Sequence, residues 1–423
     1  MSARCYLPVA FFVLMASNVI ESYMGSTHNW RRSLSRGGTP TETPQTTQKQ
    51  KSIVPQKQQS IPNQGKSEVW KGLSKTANEQ VKKYFVYCAT QVGVPWKEYY
   101  DLGATNMNIL LKNYLEINQP SIVYPDYYMQ PFHSYVDGNL NWEASLEVVA
   151  ATISISANYW PLASASSAHS WMRGNTTSAI RNQILNYEST LPTAPRNTGK
   201  ILDIGCSVGA STKFLIEAFP DKDEVDAIDL SPYFLSAAMF YHKKPTSPIF
   251  TTQNKKIVYH HMIAENMTFP SNSYDIVSIS FLLHEVPTKT AEEILAQAFR
   301  VLRPGGTISI VDLSKKKIKA LPQFHIAFFE LTEPHIRQYY KTDPMKLLAD
   351  KGFTFIETKA NDPMNSLWVA SKPFIEKYST ARNPYDVRLR PGPTKVNAFF
   401  KRLQAKKRSM ITFFLVEFLE IKG

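Results

Sequence analysis

Short apolar runs alternate with amphipathic stretches in the second half of the chain. The runs, each about as long as one buried strand, cover residues 201–204, 225–229, 256–260, 274–280 and 307–311. Between them, apolar residues recur at helical spacing near residues 211–219, 232–241 and 291–302. This alternation predicts an α/β fold with a doubly wound, mostly parallel sheet. Two final runs, 353–359 and 367–371, have no full helix between them and predict an antiparallel pair at one edge.

The preceding part of the chain has a helical pattern. Apolar residues recur at helical spacing within residues 72–118 and predict two helices there. Aromatic and proline residues crowd residues 124–135, which predicts an ordered, non-repetitive aromatic loop. The pattern therefore predicts a helical N-terminal cap region, residues 72–195, before a sheet domain, residues 196–373.

Two further helices of the cap region have candidate capping residues. Asn139 is placed to cap a helix over about residues 140–157, because asparagine accepts hydrogen bonds from the first free amides of a helix. Asn175 or Thr176 is placed in the same way to begin a helix that ends at Leu185. Both positions are expectations from side-chain type and spacing alone.

The two ends of the chain carry its net charge. The 423 residues have a formal net charge of +13, and residues 1–71 and 374–423 account for all of it. The body between them is neutral, whereas a nucleic-acid-binding domain carries its basic residues on the folded surface that contacts phosphates. We therefore expect no nucleic-acid partner. The three cysteines are too scattered for a disulfide framework or a thiolate metal site, and no metal is expected.

The N-terminal segment has the layout of a targeting leader. Residues 1–24 contain a basic residue followed by about 11 apolar residues, which is a signal-like pattern too short to cross a bilayer. Residues 25–71 are poor in apolar and acidic residues and predict a disordered transit or linker segment. This arrangement resembles the two-part leaders of proteins sent into complex plastids. A secretory leader with a spacer, or mitochondrial targeting, is the alternative.

The C-terminal segment, residues 374–423, is a basic tail with a short apolar run. Basic residues at 401–402 and 406–408 precede the apolar run at 411–419. The run is too short to span a membrane, but the combination suits peripheral contact with an anionic membrane surface. Packing of the run on the body is the alternative.

The turn after the first predicted strand carries the strongest chemical signal. It reads Asp203-Ile204-Gly205-Cys206-Ser207-Val208-Gly209. Two of the three glycines of the dinucleotide fingerprint are replaced, so a pyrophosphate is not expected. Gly205 and Gly209 leave the backbone bare beside Asp203, which suits a ligand with an ammonium or amide donor. Asp229 ends the next strand, where a carboxylate can accept ribose hydroxyls, and the pattern indicates a nucleoside without phosphates.

Residues 200–312 resemble the class I S-adenosylmethionine-dependent methyltransferases, in the branch that includes quinone C-methyltransferases. Four motifs stand in the order of that family: Ile-Leu-Asp-Ile-Gly at 201–205 with Gly209, Ile-Asp-Leu-Ser at 228–231, Ala-Glu-Asn at 264–266 before Tyr-Asp-Ile-Val at 274–277, and Arg-Val-Leu-Arg-Pro-Gly-Gly at 300–306. Residues 124–142 are also similar to a plant and algal branch of plastid methyltransferases. The resemblance implies an enzyme with S-adenosyl-L-methionine as its cofactor. A Rossmann-like domain that binds another ligand is the alternative.

The resemblance also implies where the cofactor lies. It places the methionine end against Asp203, Gly205 and Gly209, the ribose on Asp229, and the adenine near Ala264 and Glu265. Ser207 stands where many relatives have glycine. Ile263 stands where many have an aspartate that reaches the adenine amino group, so Glu265 or Asn266 would have to contact it.

The expected methyl acceptor is a small, apolar molecule such as a prenylquinone, a phenol or a lipid. His284 follows the fourth strand and could remove a proton from the acceptor, with Glu285 orienting it. The alternative is that His284 and Glu285 only cap the next helix. His133 and Tyr135 are further candidates.

Three phenylalanines, Phe324, Phe328 and Phe329, could extend an apolar wall around the acceptor. The sequence after the fourth strand lacks the Asn-Pro-Pro-aromatic pattern, which argues against methylation of exocyclic base nitrogens or glutamine. An RNA methyltransferase, or a non-catalytic assembly factor that binds S-adenosylmethionine, is the alternative function.

Overall fold

The computed structural model describes residues 82–374 except 84, 134, 161, 194, 196, 245–255, 322–325, 327–329 and 331. The leader, nearly all of the basic tail and the three phenylalanines of the expected apolar wall therefore lie outside the described residues. Within the described helices, none has the length and apolar character that crossing a bilayer requires.

Four helices of the cap region precede the sheet. They are α1 (Trp96–Ala104), α2 (Met107–Ile117), α3 (Trp142–Tyr159) and α4 (Ala165–Glu188). Residues 85–91 are also helical. The two helices expected within 72–118 correspond to residues 85–91 and to α2, and α1 is a third helix between them, separated from the first by Gly93, with a φ of +73°, and Pro95. The expected aromatic loop is confirmed, with turns and one bridge between Phe132 and Tyr135.

The capping residues differ from those expected. Asn141, rather than Asn139, caps α3, and its side chain accepts a hydrogen bond from the Ala144 amide at 2.7 Å. The prediction that a helix begins at Asn175 or Thr176 is wrong, because α4 begins at Ala165 after the N-cap Ser164.

Asn175 and Thr176 lie in the middle of α4 and bond to the loop between the last two strands. The Asn175 amide donates to the Asn361 carbonyl at 2.7 Å, and the Thr176 hydroxyl donates to the Asn361 side chain at 2.9 Å. These tertiary bonds satisfy polar groups that otherwise favour helix ends.

The sheet domain contains seven strands and six helices among the described residues. The strands are β1 (Lys200–Ile204), β2 (Glu224–Asp229), β3 (Lys256–His261), β4 (Tyr274–Ser280), β5 (Leu302–Leu313), β6 (Thr354–Ala360) and β7 (Asn365–Ser371). The helices are α5 (Ala210–Ala218), α6 (Pro232–Lys243), α7 (Thr288–Val301), α8 (Lys315–Lys319), α9 (Ile336–Tyr339) and α10 (Pro344–Asp350).

The strands form one mixed sheet in the order β3-β2-β1-β4-β5-β7-β6. The first five strands are parallel, and β7 pairs antiparallel with both β5 and β6. The expected α/β class, doubly wound sheet and closing antiparallel pair are confirmed. The chain order reverses at β1 and β4, so the carboxyl ends of these two strands flank the crevice where such sheets bind ligands.

Helices cover both faces of the sheet. Leu202 and Ile204 of β1 pack in a core with α7, whereas Ile201 packs on the other face with α4 and α5. The alternation of side chains along a strand places Asp203 on the α4 and α5 face. A separate apolar cluster joins α1 and α3 to α6. The cap region is thus packed against the sheet layer beside the carboxyl ends of the strands.

Candidate active site

The glycine turn after β1 adopts the conformation that its sequence predicts. Gly205 and Gly209 have positive φ angles of 70° and 83°, which strain other residues. A Cβ atom at Gly205 would lie 3.3 Å from the side chain of Leu282, so glycine also permits close approach to the segment after β4. Ser207 has a φ of 50° and takes the left-handed conformation without glycine.

Asp229 at the end of β2 is held by this turn. Its carboxylate accepts hydrogen bonds from the Ser207 and Ser231 amides, both at 2.8 Å. Burial raises the pKa of Asp229 to about 6, although the backbone amides favour its charged form. Each carboxylate oxygen keeps a free lone pair, so the side chain can still accept a hydroxyl of a ligand.

Asp203 is fully buried beneath the glycine turn. One carboxylate oxygen accepts from the hydroxyls of Ser211 and Thr212, both at 2.7 Å. The other oxygen, Oδ1, is buried and has no hydrogen-bond partner. Burial raises the pKa of Asp203 to about 6. A cationic or N–H donor at this position would satisfy the orphaned oxygen, so Asp203 fits the role that the sequence predicts.

Ala264 and Glu265 lie in a short 3-10 turn, Ala264–Asn266, after β3. The Glu265 carboxylate accepts a hydrogen bond from the Tyr127 hydroxyl at 2.8 Å. Tyr127 belongs to the aromatic loop of the cap region. The residues expected near the adenine are therefore tied to that loop.

His284 is buried in the turn after β4 and bonds to Asp312 near the end of β5. Its Nδ1 lies 2.7 Å from Asp312 Oδ1, and its amide donates to Asp312 Oδ2 at 3.3 Å. The structure thus places Asp312, rather than the expected Glu285, on the imidazole, because the parallel neighbours β4 and β5 bring these two ends together. The capping alternative fails, since α7 begins at Thr288 and its N-cap position is Pro287.

Three carboxyl groups surround the imidazole of His284. Burial alone would lower the pKa of His284, but the charges of Asp312, Glu333 and Glu285 raise it to about 9. Burial in turn raises the pKa of Glu333 to about 8 and that of Glu285 well above its usual value. His284, Glu285 and Glu333 therefore each have a pKa above the usual value of their residue type.

His133 brings the aromatic loop into the same group. Its Nε2 lies 3.3 Å from a Glu333 oxygen and 3.7 Å from a Glu285 oxygen. Donor atoms of His133, His284 and Glu285 all lie within 4.8 Å of one another, a combination of residue types that also occurs in metal sites. Our expectation that the protein has no metal stays a prediction.

The aromatic loop extends over the carboxyl ends of the strands. Besides His133 and Tyr127, it contributes Tyr128, whose pKa is raised well above its usual value by burial and by the charges of Asp229 and Glu285. Both expected sites, the one for the cofactor and the one for proton transfer, therefore meet beneath this loop. Tyr135 points elsewhere, since its hydroxyl donates to Glu147 of α3.

The sequence analysis missed Asp312 and Glu333. Asp312 follows an apolar strand run, as Asp203 and Asp229 follow theirs, and this shared pattern could have identified it. Glu333 lies in an irregular segment without a motif, and no local signal marks it.

Comparison with known protein families gives a match over the sheet domain. Residues 201–306 match the family described as "Methyltransferase domain". The demethylmenaquinone methyltransferase of Listeria monocytogenes is 27% identical over 140 residues, which are 33% of this chain and 55% of the relative. That of Staphylococcus epidermidis is 30% identical over 135 residues, which are 32% and 52%. The chain spans about half the length of the curated relatives it matches.

Solved structures of methyltransferases are also similar. The phosphoethanolamine N-methyltransferase 2 of Haemonchus contortus, in complex with S-adenosyl-L-methionine, has 17% identity and a TM-score of 0.34, over 49% of this chain and 57% of that one. The CurJ carbon methyltransferase has 18% identity and a TM-score of 0.37, over 66% and 70%.

The family match covers all four motifs from which the resemblance was drawn. Similarity to a plastid branch stays a prediction. Residues 201–306 thus match a methyltransferase domain, and the sheet domain is similar in sequence to the demethylmenaquinone methyltransferases of two bacteria.

Proposed function

We propose that the protein transfers a methyl group from S-adenosylmethionine to a small, apolar acceptor, with a prenylquinone as the leading class. The observation that carries this proposal is the arrangement at the carboxyl ends of the strands. There the glycine turn, with Asp203 and Asp229, meets the buried pair of His284 and Asp312 beneath an aromatic loop. The relatives named above supply the acceptor class, since they are demethylmenaquinone methyltransferases.

The residues fit the cofactor in the way that the sequence predicts. Asp229 is aligned by two backbone amides and would accept the ribose hydroxyls. Gly205 and Gly209 keep the backbone bare for the methionine end, where the free oxygen of Asp203 lies. Glu265 would contact the adenine from the turn after β3. Together these residues cover the three parts of the cofactor.

When bound, the cofactor supplies a methyl group on a positively charged sulfur, which keeps the bonding electron pair as the methyl leaves. The residues of this chain align the acceptor and handle its proton. His284 Nε2 would take a proton from an acceptor hydroxyl or carbon, while Asp312 holds Nδ1 and stabilises the imidazolium. The positive charge of the bound cofactor would lower the pKa of His284, so a larger fraction of the imidazole would be neutral and able to accept a proton at neutral pH.

The same proposal extends to targeting and membrane contact. We propose that residues 1–71 direct the protein to a plastid and that the basic tail contacts an anionic membrane surface. The composition of the two segments supports the targeting and the membrane contact. If the acceptor is dissolved in a membrane, contact of the tail with that membrane would bring the enzyme close to its acceptor.

Disruption of the gene, followed by profiling of extracted quinones, phenols and lipids, tests the acceptor class. We expect a prenylquinone that lacks one methyl group to accumulate, and the wild-type gene to restore the methylated form. An Asp229→Ala gene serves as the control that keeps the protein but weakens cofactor binding. Accumulation of an undermethylated RNA with unchanged small molecules would contradict the proposal.

A further inference from the structure

Arg173 on α4 carries a largely buried guanidinium. Arg173 is 8% exposed, and its Nε atom is buried without a hydrogen-bond partner among the described residues. Within the described part of the chain, no hydrogen bond or ion pair reaches the guanidinium, and its one recorded contact is with the ring of Phe281 at 5.6 Å. Its Nε–H donor is therefore buried and unpaired, which is costly, and a guanidinium has further N–H donors that can bond to a ligand. Such a side chain calls for an anionic ligand.

The surroundings of Arg173 place it at the carboxyl ends of β1 and β4. Phe281 directly follows β4, and its amide donates to the Val311 carbonyl of β5 at 2.7 Å. Burial lowers the pKa of Arg173 to about 10, while the charges of Asp203 and Asp362 act in the opposite direction. Arg173 therefore lies near Asp203, on the sheet face that α4 covers, and borders the crevice at the reversal of the strand order.

Neither nearby carboxylate bonds to Arg173. Asp362 is occupied by the amides of Met364 and Asn365 and by neighbouring side chains. Asp203 has one oxygen bonded to hydroxyls and one oxygen free. An unpaired buried donor of a cation and an unpaired carboxylate oxygen thus interact through their charges on the sheet face that α4 covers. A ligand that carries an ammonium and a carboxylate on the same carbon would satisfy both, whereas a phosphate would be repelled by Asp203.

We propose that Arg173 binds the α-carboxylate of the methionine end of S-adenosylmethionine, opposite Asp203, which binds the α-ammonium. This inference rests on the proposed function. It assigns a cofactor contact to α4, a cap-region helix outside the residues that match the methyltransferase family. Docking of α4 on the sheet would then be needed for cofactor binding as well as for stability.

Calorimetry on the full chain with two ligands tests the assignment. S-adenosylmethionine carries the carboxylate, and decarboxylated S-adenosylmethionine lacks it but keeps the amine, ribose and adenine. We expect Arg173→Met to weaken binding of S-adenosylmethionine roughly 10- to 100-fold, as expected for loss of a charge-assisted hydrogen bond. Binding of the decarboxylated ligand should be equal in the variant and the wild type. Arg173→Lys, which keeps the charge, should restore part of the affinity.

The variant should fold, because an apolar side chain of similar volume in place of an unpaired buried charge is neutral or stabilising. Its melting temperature without ligand should therefore equal or exceed that of the wild type. Arg181→Met, on the same helix, is the matched control, since Arg181 donates to the Ala218 carbonyl and should not affect either ligand. Equal weakening of both ligands by Arg173→Met, or no weakening of either, would overturn the inference. Failure of the wild type to bind S-adenosylmethionine would instead overturn the proposed function.

Discussion

Asp229 is hydrogen-bonded to the glycine turn and is the residue expected to accept the ribose hydroxyls of the cofactor. Its carboxylate is fixed by the Ser207 and Ser231 amides before any ligand arrives, so little ordering cost remains on binding. We expect Asp229→Ala to weaken S-adenosylmethionine binding by roughly 1.5 to 3 kcal/mol, or on the order of 10- to 100-fold. Calorimetry measures this, with the exposed Asp221→Ala as the control. Unchanged affinity in Asp229→Ala would show that the ribose lies elsewhere.

Cofactor binding should also depend on pH through the two buried aspartates. Asp203 and Asp229 both have a pKa raised to about 6, so each is increasingly protonated as the pH falls through that value. A protonated carboxyl is a poorer acceptor for an ammonium or a hydroxyl. We expect the affinity for S-adenosylmethionine to fall between pH 7 and pH 5 and to level off above pH 7. A flat profile over this range would contradict the assigned roles.

His284 should limit the rate of transfer rather than cofactor binding. We expect His284→Ala to slow turnover by about 10² to 10⁴-fold, the usual contribution of positioned proton transfer, with cofactor affinity nearly unchanged. In the wild type, the rate should rise with pH and level off below about 9, because only the neutral imidazole accepts a proton and the charge of the bound cofactor lowers the pKa of His284 from that value. Asp312→Asn should move this rise to lower pH, since it removes the carboxylate that favours the imidazolium. Single-turnover kinetics at several pH values measure all three.

Two results would contradict this role of His284. Wild-type turnover in His284→Ala would leave alignment alone as the mechanism. Loss of activity in EDTA, restored by a divalent cation, would instead assign His133, His284 and Glu285 to a metal. We expect no effect of EDTA, in line with the prediction from sequence that the protein has no metal.

At the scale of single residues, the sequence identified candidate site residues where a polar residue follows a predicted strand. It identified few of them elsewhere. Asp203 and Asp229 could be identified because each follows an apolar run beside a turn. Arg173 could not, because a basic residue within a polar helix is usually exposed and no local pattern shows that α4 is buried on this side. Its importance emerges only from what surrounds it in the fold.

Among the secondary structure elements, those with a continuous apolar run were predicted, whereas polar or glycine-rich starts of elements were not. Strands β1 to β4 match their apolar runs within a residue or two, because a buried parallel strand needs a continuous apolar segment. Strand β5 begins earlier than expected, at Leu302, since its Pro-Gly-Gly segment continues pairing through bonds between Gly305, Gly306 and Lys372. The start of α4 was not predicted, because its first two turns are rich in the polar residue serine.

The start of α4 can be tested through its N-cap. The Ser164 hydroxyl accepts from the Ser167 amide at 3.1 Å, so Ser164→Ala should lower the free energy of unfolding by about 1 kcal/mol. Ser166→Ala, one position into the first turn, should have almost no effect. Chemical denaturation of both variants measures the difference. Equal stability of the two would contradict the helix start at Ala165.

At the scale of the whole molecule, the sequence predicted the sheet class but could not show how the cap region meets it. The parallel order follows from alternating strands and helices, and the antiparallel β6 and β7 follow from the missing helix between them. The aromatic loop reaches Glu265 and Glu333 across more than a hundred positions of sequence, through the Tyr127 hydroxyl and the His133 imidazole, and no periodicity indicates these contacts. The division into cap region and sheet domain stays a prediction.

The leader is a prediction that concerns the whole molecule. We expect residues 1–71 to be removed, leaving a mature chain that begins between about residues 25 and 72, because their signal-like and acid-poor parts match a targeting sequence. Fusion of residues 1–71 to a fluorescent protein should place it in a plastid. The same fusion without residues 1–24 is the control and should not enter the secretory route. A diffuse cytosolic signal from the full fusion would contradict the prediction.

Methyl transfer by the purified chain tests the central claim most directly. The protein is incubated with S-adenosylmethionine that carries a deuterated methyl group and with a demethylated prenylquinone kept in its reduced quinol form by a chemical reductant, and both products are measured by mass spectrometry. The account predicts a deuterated methyl group on the quinone and an equal amount of S-adenosylhomocysteine, both greatly reduced in Asp229→Ala. Binding of S-adenosylmethionine without formation of S-adenosylhomocysteine from a quinone, phenol or lipid acceptor would contradict it.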